Sequence, residues 1–240
     1  MPLPKINTPT YELTLPSNGK KLKYRPFLVR EEKILIMALE TEDMKQITDA
    51  VLQILNGCIM TKGVKIENLP SFDIEYLFLN VRSKSVGEKV ELNLTCPDDN
   101  ETTMKVNIDL DSIKVKKQKI HKNIIKLDDK LSLKLKYPTM DVFINNNFES
   151  SEDQTEINST LKMITSCIDV IYNDEESWSG SDASEKELSE FVEQLNTKQF
   201  QLIEKFFSTM PKLTHSVKIK NPKTQVESTI VLEGLAAFFN

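Results

Sequence analysis

The sequence predicts an α+β fold with a helical main body, β-hairpins at both ends of the chain and a small β-rich insert. Three observations support this prediction. Apolar and polar residues alternate near both termini and again between residues 83 and 137, which is the period of half-buried strands. In most of the remaining chain, apolar residues recur every three or four positions, as in an amphipathic helix. Pro, Gly, Asn and Asp cluster between these stretches, as is typical of turns.

Residues 1–82 are predicted to form one hairpin followed by helices. A Pro/Gly turn at residues 16–19 separates two alternating stretches, whose apolar members are Tyr11, Leu13, Leu15, Leu22 and Tyr24.

The helices of this part are predicted from their periodicity and their first residues. The first helix covers Arg30 to Leu39, and its acidic start at Glu31-Glu32 suits the positive end of the helix dipole. Thr41 is expected to cap the second helix and Ser71 the third, because a hydroxyl oxygen can accept from the free N–H groups of the first turn.

Residues 83–137 are predicted to form the β-rich insert. Alternating apolar residues flank a turn at 96–100, which indicates a second hairpin. A weaker pair of strands is expected on either side of Asp128-Asp129. The lysine-rich run Lys114–Lys119 between the two pairs is interpreted as a solvated face or a linker, with a basic binding patch as the alternative.

Residues 138–240 are predicted to hold helices and a terminal hairpin, and to pack with residues 1–82. An acidic loop at 149–156 and a polar loop at 173–184 separate the elements. In chain order, the helices are expected to open at Pro138-Thr139 and to cover 157–171, 187–196 and 198–210, followed by a hairpin that turns at 221–224. Thr197 is the expected cap of the last helix.

The charge distribution argues against nucleic-acid binding. The formal net charge is -5, and acidic and basic residues are interspersed along the chain. A nucleic-acid-binding protein usually concentrates its basic residues on one face, and the lysine-rich run contains no aromatic residue for base stacking. The sequence therefore predicts that nucleic acid is not a partner.

The N-terminus and the cysteines indicate where the protein is found. The first residues lack the apolar core of a signal peptide, and no apolar run approaches the roughly 20 residues that span a bilayer. We expect no membrane span and a location in the cytoplasm where the protein is made. Three widely spaced cysteines, Cys58, Cys96 and Cys167, suit reduced core thiols better than a disulfide framework.

No pattern in the sequence predicts catalysis, a cofactor or a metal. The two histidines, His121 and His215, have no recognisable nucleophile beside them, and the six glycines form no phosphate-binding loop. Cys96-Pro97 resembles half of a zinc knuckle, but the second half is missing. Paired carboxylates such as Asp98-Asp99 and Asp128-Asp129 lie in predicted turns, where such residues shape the turn. We expect a protein that is not an enzyme and has no small-molecule substrate.

Two short stretches are candidates for partner binding. Aromatic and arginine residues, which are enriched among the anchors of protein interfaces, lie on an extended segment before the first helix. The apolar tail at 235–239 is too short to form a domain. Chain termini commonly approach each other at a domain surface, so both stretches are predicted to form one patch. Its candidate residues are Tyr24, Arg25, Phe27, Leu235, Phe238 and Phe239. The alternative is that both stretches pack in the protein's own core.

Six segments of the sequence form a recognisable set, namely Pro9–Tyr11, Leu15–Gly19, Tyr24–Lys33, Leu69–Asp73, Leu94–Pro97 and Glu233–Leu235. Together they resemble the baseplate hub protein family of the large contractile-tailed bacteriophages. The resemblance covers nearly the full chain, and Tyr24–Lys33 is its most specific part. It implies a hub subunit or a hub assembly factor without enzymatic activity, whose partners are other phage baseplate hub proteins and whose final place is the virion tail baseplate.

Two other functions are carried as alternatives. A hydrolase with an unrecognised site would require clustered polar residues with shifted pKa values in one pocket. A regulatory nucleic-acid-binding protein would require a contiguous basic face and salt-sensitive binding.

Overall fold

The protein combines helices with four small antiparallel sheets. A computed structural model describes residues 6–147 and 156–238, and these residues form seven α-helices and eleven strands. The helices are α1 (Val29–Leu39), α2 (Met44–Cys58), α3 (Ser71–Val86), α4 (Met140–Asn147), α5 (Glu156–Ser166), α6 (Glu185–Glu193) and α7 (Thr197–Thr209). The strands are β1 (Tyr11–Thr14), β2 (Lys21–Tyr24), β3 (Lys89–Thr95), β4 (Thr103–Asp109), β5 (Lys114–Lys116), β6 (Ile124–Lys126), β7 (Ser132–Leu135), β8 (Ile168–Tyr172), β9 (Ser177–Ser179), β10 (Lys212–Lys220) and β11 (Glu227–Glu233).

The predicted helical main body is wrong, because strands occupy stretches that were expected to be helix or loop. The helix predicted for 157–171 ends at Ser166, and β8 follows it and pairs with β7 on one side and β9 on the other. β9 lies within the predicted polar loop. Ile168, Val170 and Ile171 are β-branched and favour a strand, and an apolar run this short fits both periods. The result is a mixed fold of helices and sheets.

Residues 83–137 do contain strands, β3 to β7, and two of these strands pair outside the stretch. β5 pairs with β10, and β7 pairs with β8, so strands from residues 83–137 complete sheets with strands from the C-terminal part. The alternating pattern identifies strands, but it carries no information on which strands pair when they lie far apart in the chain. Both terminal hairpins do form, with β1 paired to β2 and β10 paired to β11.

The chain divides into two compact units, each built from separate stretches of sequence. The first unit contains Met1–Ile66, Phe72–Lys116 and Lys212–Asn240, and the second contains Glu67–Ser71 and Lys117–Pro211.

Helix α3 forms the centre of the first unit. Its apolar residues point in every direction around the helix axis and are almost fully buried, as expected for a helix surrounded by other elements. They are Phe72, Ile74, Leu77, Phe78, Leu79 and Val81. Asp73 is buried as well, and its carboxylate accepts hydrogen bonds from the backbone N–H and the hydroxyl of Ser17, in the turn of the first hairpin.

Polar contacts join the tips of two hairpins in the first unit. The buried amide of Asn221, in the β10–β11 turn, donates to both carboxylate oxygens of Asp98 at 3.1 and 3.0 Å and to Asp99 at 3.0 Å. Thr224 donates its hydroxyl to Asp98 as well. Hydrogen bonds from Thr224 and Asn221 lower the pKa of Asp98, whereas the pKa of Asp99 is lowered mainly by hydrogen bonds from Thr102 and then by Asn221. The carboxylates of the β3–β4 turn thus hold the two tips together.

The second unit packs helices on the four-stranded sheet β6-β7-β8-β9. Its α6 and α7 begin with reciprocal caps, in which Ser184 pairs with Glu187 and Asn196 with Gln199. Asn196 thus caps α7 in place of the predicted Thr197. Similarly, Asp43 caps α2 in place of Thr41. The core of this unit contains Ile125, Leu127, Leu133, Leu135, Ile164, Ile168, Ile171, Leu188, Val192, Ile203 and Phe206.

The three cysteines give a direct test of this packing. Cys58, Cys96 and Cys167 are free thiols with no exposed surface, and burial raises the pKa of Cys58 and of Cys167 to about 11. We expect a bulky thiol reagent at pH 8 to react slowly with the native protein and to count three thiols once the unreduced protein is denatured. Fewer than three in the denatured sample would reveal a disulfide, and rapid native reaction would contradict the buried positions.

Candidate protein-binding surface

The structure places most of the sequence-predicted binding residues inside the first unit. Tyr24, Phe27, Leu235 and Phe238 are buried, with exposed fractions between 0 and 9%. Phe239 lies outside the described residues. A side chain without exposed surface offers no contact area to a partner while this conformation persists. The role of these residues in partner binding stays a prediction, and the geometry around them shows which neighbouring surface they support.

Arg25 lies at the centre of a hydrogen-bond network that fixes the chain between β2 and α1. Its guanidinium donates to the Glu31 carboxylate at 2.9 Å, to the carbonyl of Gly57 at 2.7 Å and to the carbonyl of Pro26 at 2.9 Å. Its backbone N–H donates to the carbonyl of Cys58 at 3.0 Å. One side chain therefore links the segment after the hairpin, the start of α1 and the end of α2.

Glu31 is the acceptor on which this network converges. Besides Arg25, it accepts from Nε of Arg30 at 2.7 Å and from the backbone N–H of Leu28 at 2.7 Å, and that last bond caps the first turn of α1. Burial alone would raise the pKa of Glu31, but these hydrogen bonds outweigh it and lower the pKa to about 2. The carboxylate is ionised, and both of its oxygens accept hydrogen bonds.

The network holds α1 so that its outer side is exposed. Val29, Ile36 and Met37 are exposed by 80, 51 and 58%, and their spacing of seven and eight residues places them on one side of the helix. Lys33 is exposed between them. We call Val29, Ile36 and Met37 the α1 stripe. The stripe begins within the Tyr24–Lys33 segment, at Val29, and continues along the same helix.

The C-terminal segment is held by a buried carboxyl group on α3. Oε1 of Glu75 accepts the backbone N–H of Leu235 at 3.3 Å, just after Gly234, whose φ of +72° is favourable only for glycine. Phe238 is completely buried three residues later. Burial of Glu75 raises its pKa to about 7, and the Leu235 bond offsets only part of this effect.

Glu31 and Glu75, two carboxyl groups with strongly shifted pKa values, are each held by contacts within the fold. Glu31 is occupied by two arginines and a backbone N–H, and Glu75 holds Leu235. In the second unit, His121 contacts the hydroxyls of Thr209 and Tyr137, each at 3.0 Å. Each shift thus has a cause in the packing of its own neighbourhood. Within residues 6–147 and 156–238, no cluster of three or more His, Cys, Asp or Glu is arranged to hold a metal ion.

The hydrophobicity of the helices bears on membrane insertion. No helix in the described part of the chain is both long enough and apolar enough to cross a bilayer.

Comparison with known proteins identifies the family. Residues 8–240 match the model of a family described as T4 bacteriophage base plate protein. The chain belongs to this family. Baseplate family membership assigns it a structural role in the phage tail baseplate, with phage proteins as partners. The resemblance to a phage baseplate family is thus confirmed. No curated protein and no solved structure matches the chain significantly.

Sequence reasoning missed the α1 stripe, although the sequence contains a signal for it. Ile34–Leu39 is a run of six apolar residues, and a helix with one buried face covers only about half of such a run. The surplus had to be exposed or covered by a partner. Aromatic residues are enriched at interfaces, so residue type pointed to the aromatic side chains, and the structure places these in the core.

Removing Arg25 tests the network. Arg25→Ala is expected to lower the free energy of unfolding by about 3 kcal/mol, because it leaves the buried carboxylate of Glu31 without its main partner. Arg30→Ala is the matched control, since Arg30 is 71% exposed and should cost less than about 1 kcal/mol. Urea denaturation at pH 7 measures both, and equal losses would contradict a central role for Arg25.

The stability difference between wild type and Arg25→Ala is also expected to depend on pH. Because the folded-state pKa of Glu31 is below its usual 4.5, its stabilisation is complete above pH 4.5 and disappears as the pH falls towards 2. The stability difference between wild type and Arg25→Ala should shrink in that window.

Glu75 predicts a pH dependence of the opposite sign. Its pKa rises from 4.5 to about 7 on folding, so this group destabilises the fold progressively between these values and fully above pH 7. Glu75→Gln keeps an oxygen for the Leu235 N–H and should gain about 2 kcal/mol at pH 8 and nothing at pH 4. Urea denaturation at both pH values, with the exposed Glu91→Gln as control, measures the effect. An equal change at pH 4 and pH 8 would contradict the buried carboxyl group as its origin.

Proposed function

We propose that the chain is a non-enzymatic baseplate hub protein that acts in assembly of the tail baseplate hub, as a subunit or as an assembly factor, by binding other hub proteins. The observation that carries this proposal is the family match over residues 8–240. The resemblance of Tyr24–Lys33 to the hub proteins narrows the place within the baseplate. Host cytoplasm is the proposed location during assembly, and the virion tail baseplate the final one.

The use of the ionisable groups supports a binding role over the hydrolase alternative. A general acid or base needs a free oxygen or nitrogen that faces a substrate. Glu31, with the strongly lowered pKa, has both oxygens engaged, and Glu75 is buried against Leu235. Both carboxyl groups thus accept hydrogen bonds that stabilise the fold.

The α1 stripe is the proposed side-chain contact for the hub partner. Exposed apolar residues at helical spacing bind partner grooves through the burial of their side chains. Lys33 lies within the stripe and favours a partner surface with a carboxylate at that point. Arg25, Tyr24 and Phe27 act on this contact indirectly, because they hold the start of α1 in place.

A charge substitution on the stripe tests the contact. Ile36→Glu and Met37→Glu are each expected to weaken capture of the co-expressed hub partner by at least tenfold, since truncation or loss of an interface anchor costs about 2 kcal/mol. The fold should tolerate both, because the side chains are exposed. Leu202→Glu on α7 is the matched control, because Leu202 is an exposed leucine on a helix of the second unit.

The measurement is pull-down from cells that co-express the chain with the phage's other baseplate proteins, with melting temperature as the check on folding. Wild type that captures none of them would overturn the proposed function. Folded stripe variants that still bind would move the contact elsewhere. Mass analysis of purified virions then distinguishes a retained subunit from a transient assembly factor.

A further inference from the structure

β11 is an outer strand of the three-stranded sheet β11-β10-β5. It pairs with β10 in an unbroken antiparallel register from Lys220↔Glu227 to Thr214↔Glu233. Its other side has no neighbouring strand among the described residues. A seven-residue strand without proline or a bulge is long enough to accept a further strand.

The hydrogen bonds at the two ends of the hairpin show which backbone groups face outwards. The N–H of Asn221 donates to the carbonyl of Val226, and the N–H of Gly234 donates to the carbonyl of Leu213. Because hydrogen-bonded pairs alternate along an antiparallel ladder, the even-numbered residues of β11 bond to β10. The odd-numbered residues direct their N–H and C=O groups away from it. These are Glu227, Thr229, Val231 and Glu233.

The outward groups of these four residues, which we call the β11 edge, are free for a partner. No hydrogen bond reaches their backbone atoms from any described residue. The side chain of Val231 is 57% exposed, and that of Val226 just before the strand is 46% exposed. Successive outward residues repeat every two positions, and only an extended chain offers donors and acceptors at that repeat.

We propose that the β11 edge binds one extended segment of another baseplate protein by strand addition. This inference rests on the proposed function, because it names how a baseplate partner is held. Glu233 already forms an ion pair with Lys212 at 2.7 Å, whereas no ion pair reaches Glu227 among the described residues. The segment therefore carries Lys or Arg opposite Glu227 and β-branched residues opposite Thr229 and Val231.

A second copy of the chain fits this edge less well. In the antiparallel register that pairs all seven residues of two β11 strands, Glu227 lies opposite Glu233 at both ends. Like charges directly opposite each other destabilise a strand pair. A basic segment from a different protein avoids this repulsion.

Proline substitution tests the edge without breaking the hairpin. Thr229→Pro removes an outward N–H that β10 does not use, and proline is tolerated at such positions of an outer strand. We expect it to lower capture of the co-expressed baseplate partner at least tenfold while the melting temperature stays within a few degrees. Thr229→Ala keeps the N–H and should bind as wild type does. Glu227→Gln removes the charge without placing a lysine opposite Lys220, so it preserves the hairpin and should weaken capture severalfold.

Amide hydrogen exchange on the wild-type complex supplies the second measurement. The N–H groups of Thr229 and Val231 should exchange rapidly in the free protein and at least tenfold more slowly in the complex. The N–H groups of Ile230 and Leu232 should be protected in both. This readout remains decisive if Thr229→Pro does not fold.

The outcomes separate this inference from the proposed function. Wild type that captures a baseplate protein without protection of Thr229 and Val231, or with full binding by folded Thr229→Pro, overturns strand addition and leaves the hub role intact. Unchanged capture by Glu227→Gln overturns the basic segment. A dimer of the isolated chain that Thr229→Pro disrupts overturns the choice of a different protein as occupant. Wild type that captures nothing overturns the proposed function itself.

Discussion

The first unit depends on one constraint, the burial of α3 on all sides together with two carboxyl groups. Asp73 and Glu75 are two residues apart, so their side chains leave the helix in nearly opposite directions. Asp73 holds Ser17 in the turn of the first hairpin, and Glu75 holds Leu235 near the end of the chain. Burying a carboxyl group is unfavourable unless it is hydrogen-bonded or protonated. Each group therefore specifies which segment must pack beside it, and α3 organises both ends of the unit.

The constraint extends from α3 to the exposed surface through a second set of contacts. The first hairpin leads into Tyr24 and Arg25, and Arg25 connects the chain to the end of α2 and to Glu31 in the first turn of α1. Because α1 is fixed at its N-terminal end, its outward side chains have a defined direction. Binding energy at an interface is lost when a surface must be ordered first. The buried network thus prepares the α1 stripe for contact before a partner arrives.

The sequence predicts the elements of this fold better than their arrangement. The period-two stretches around residues 16–19 and 221–224 identify hairpins because both strands and their turn are local. β8 and β5 were missed, since Ile168–Tyr172 continues a helical spacing and Lys114–Lys116 contains one half-buried residue between two lysines. Both stretches become strands because they pair with strands distant in the sequence, β8 with β7 and β5 with β10. For the site, residue type alone pointed to Tyr24, Phe27 and Phe238. Aromatic side chains are common both in cores and at interfaces, and only their burial in the structure shows which of the two applies.

The two surfaces that we propose in the first unit differ in what they offer a partner. The α1 stripe offers side chains, so its selectivity comes from the shape and polarity of an opposing groove. The β11 edge offers backbone groups that any extended chain matches, and its selectivity rests on a few side chains such as Glu227. The exposed side chains of the α1 stripe and of Thr229 and Val231 make none of the hydrogen bonds of α3 or Arg25 that stabilise the unit. Substitutions of these side chains can therefore alter the proposed binding without loss of the fold.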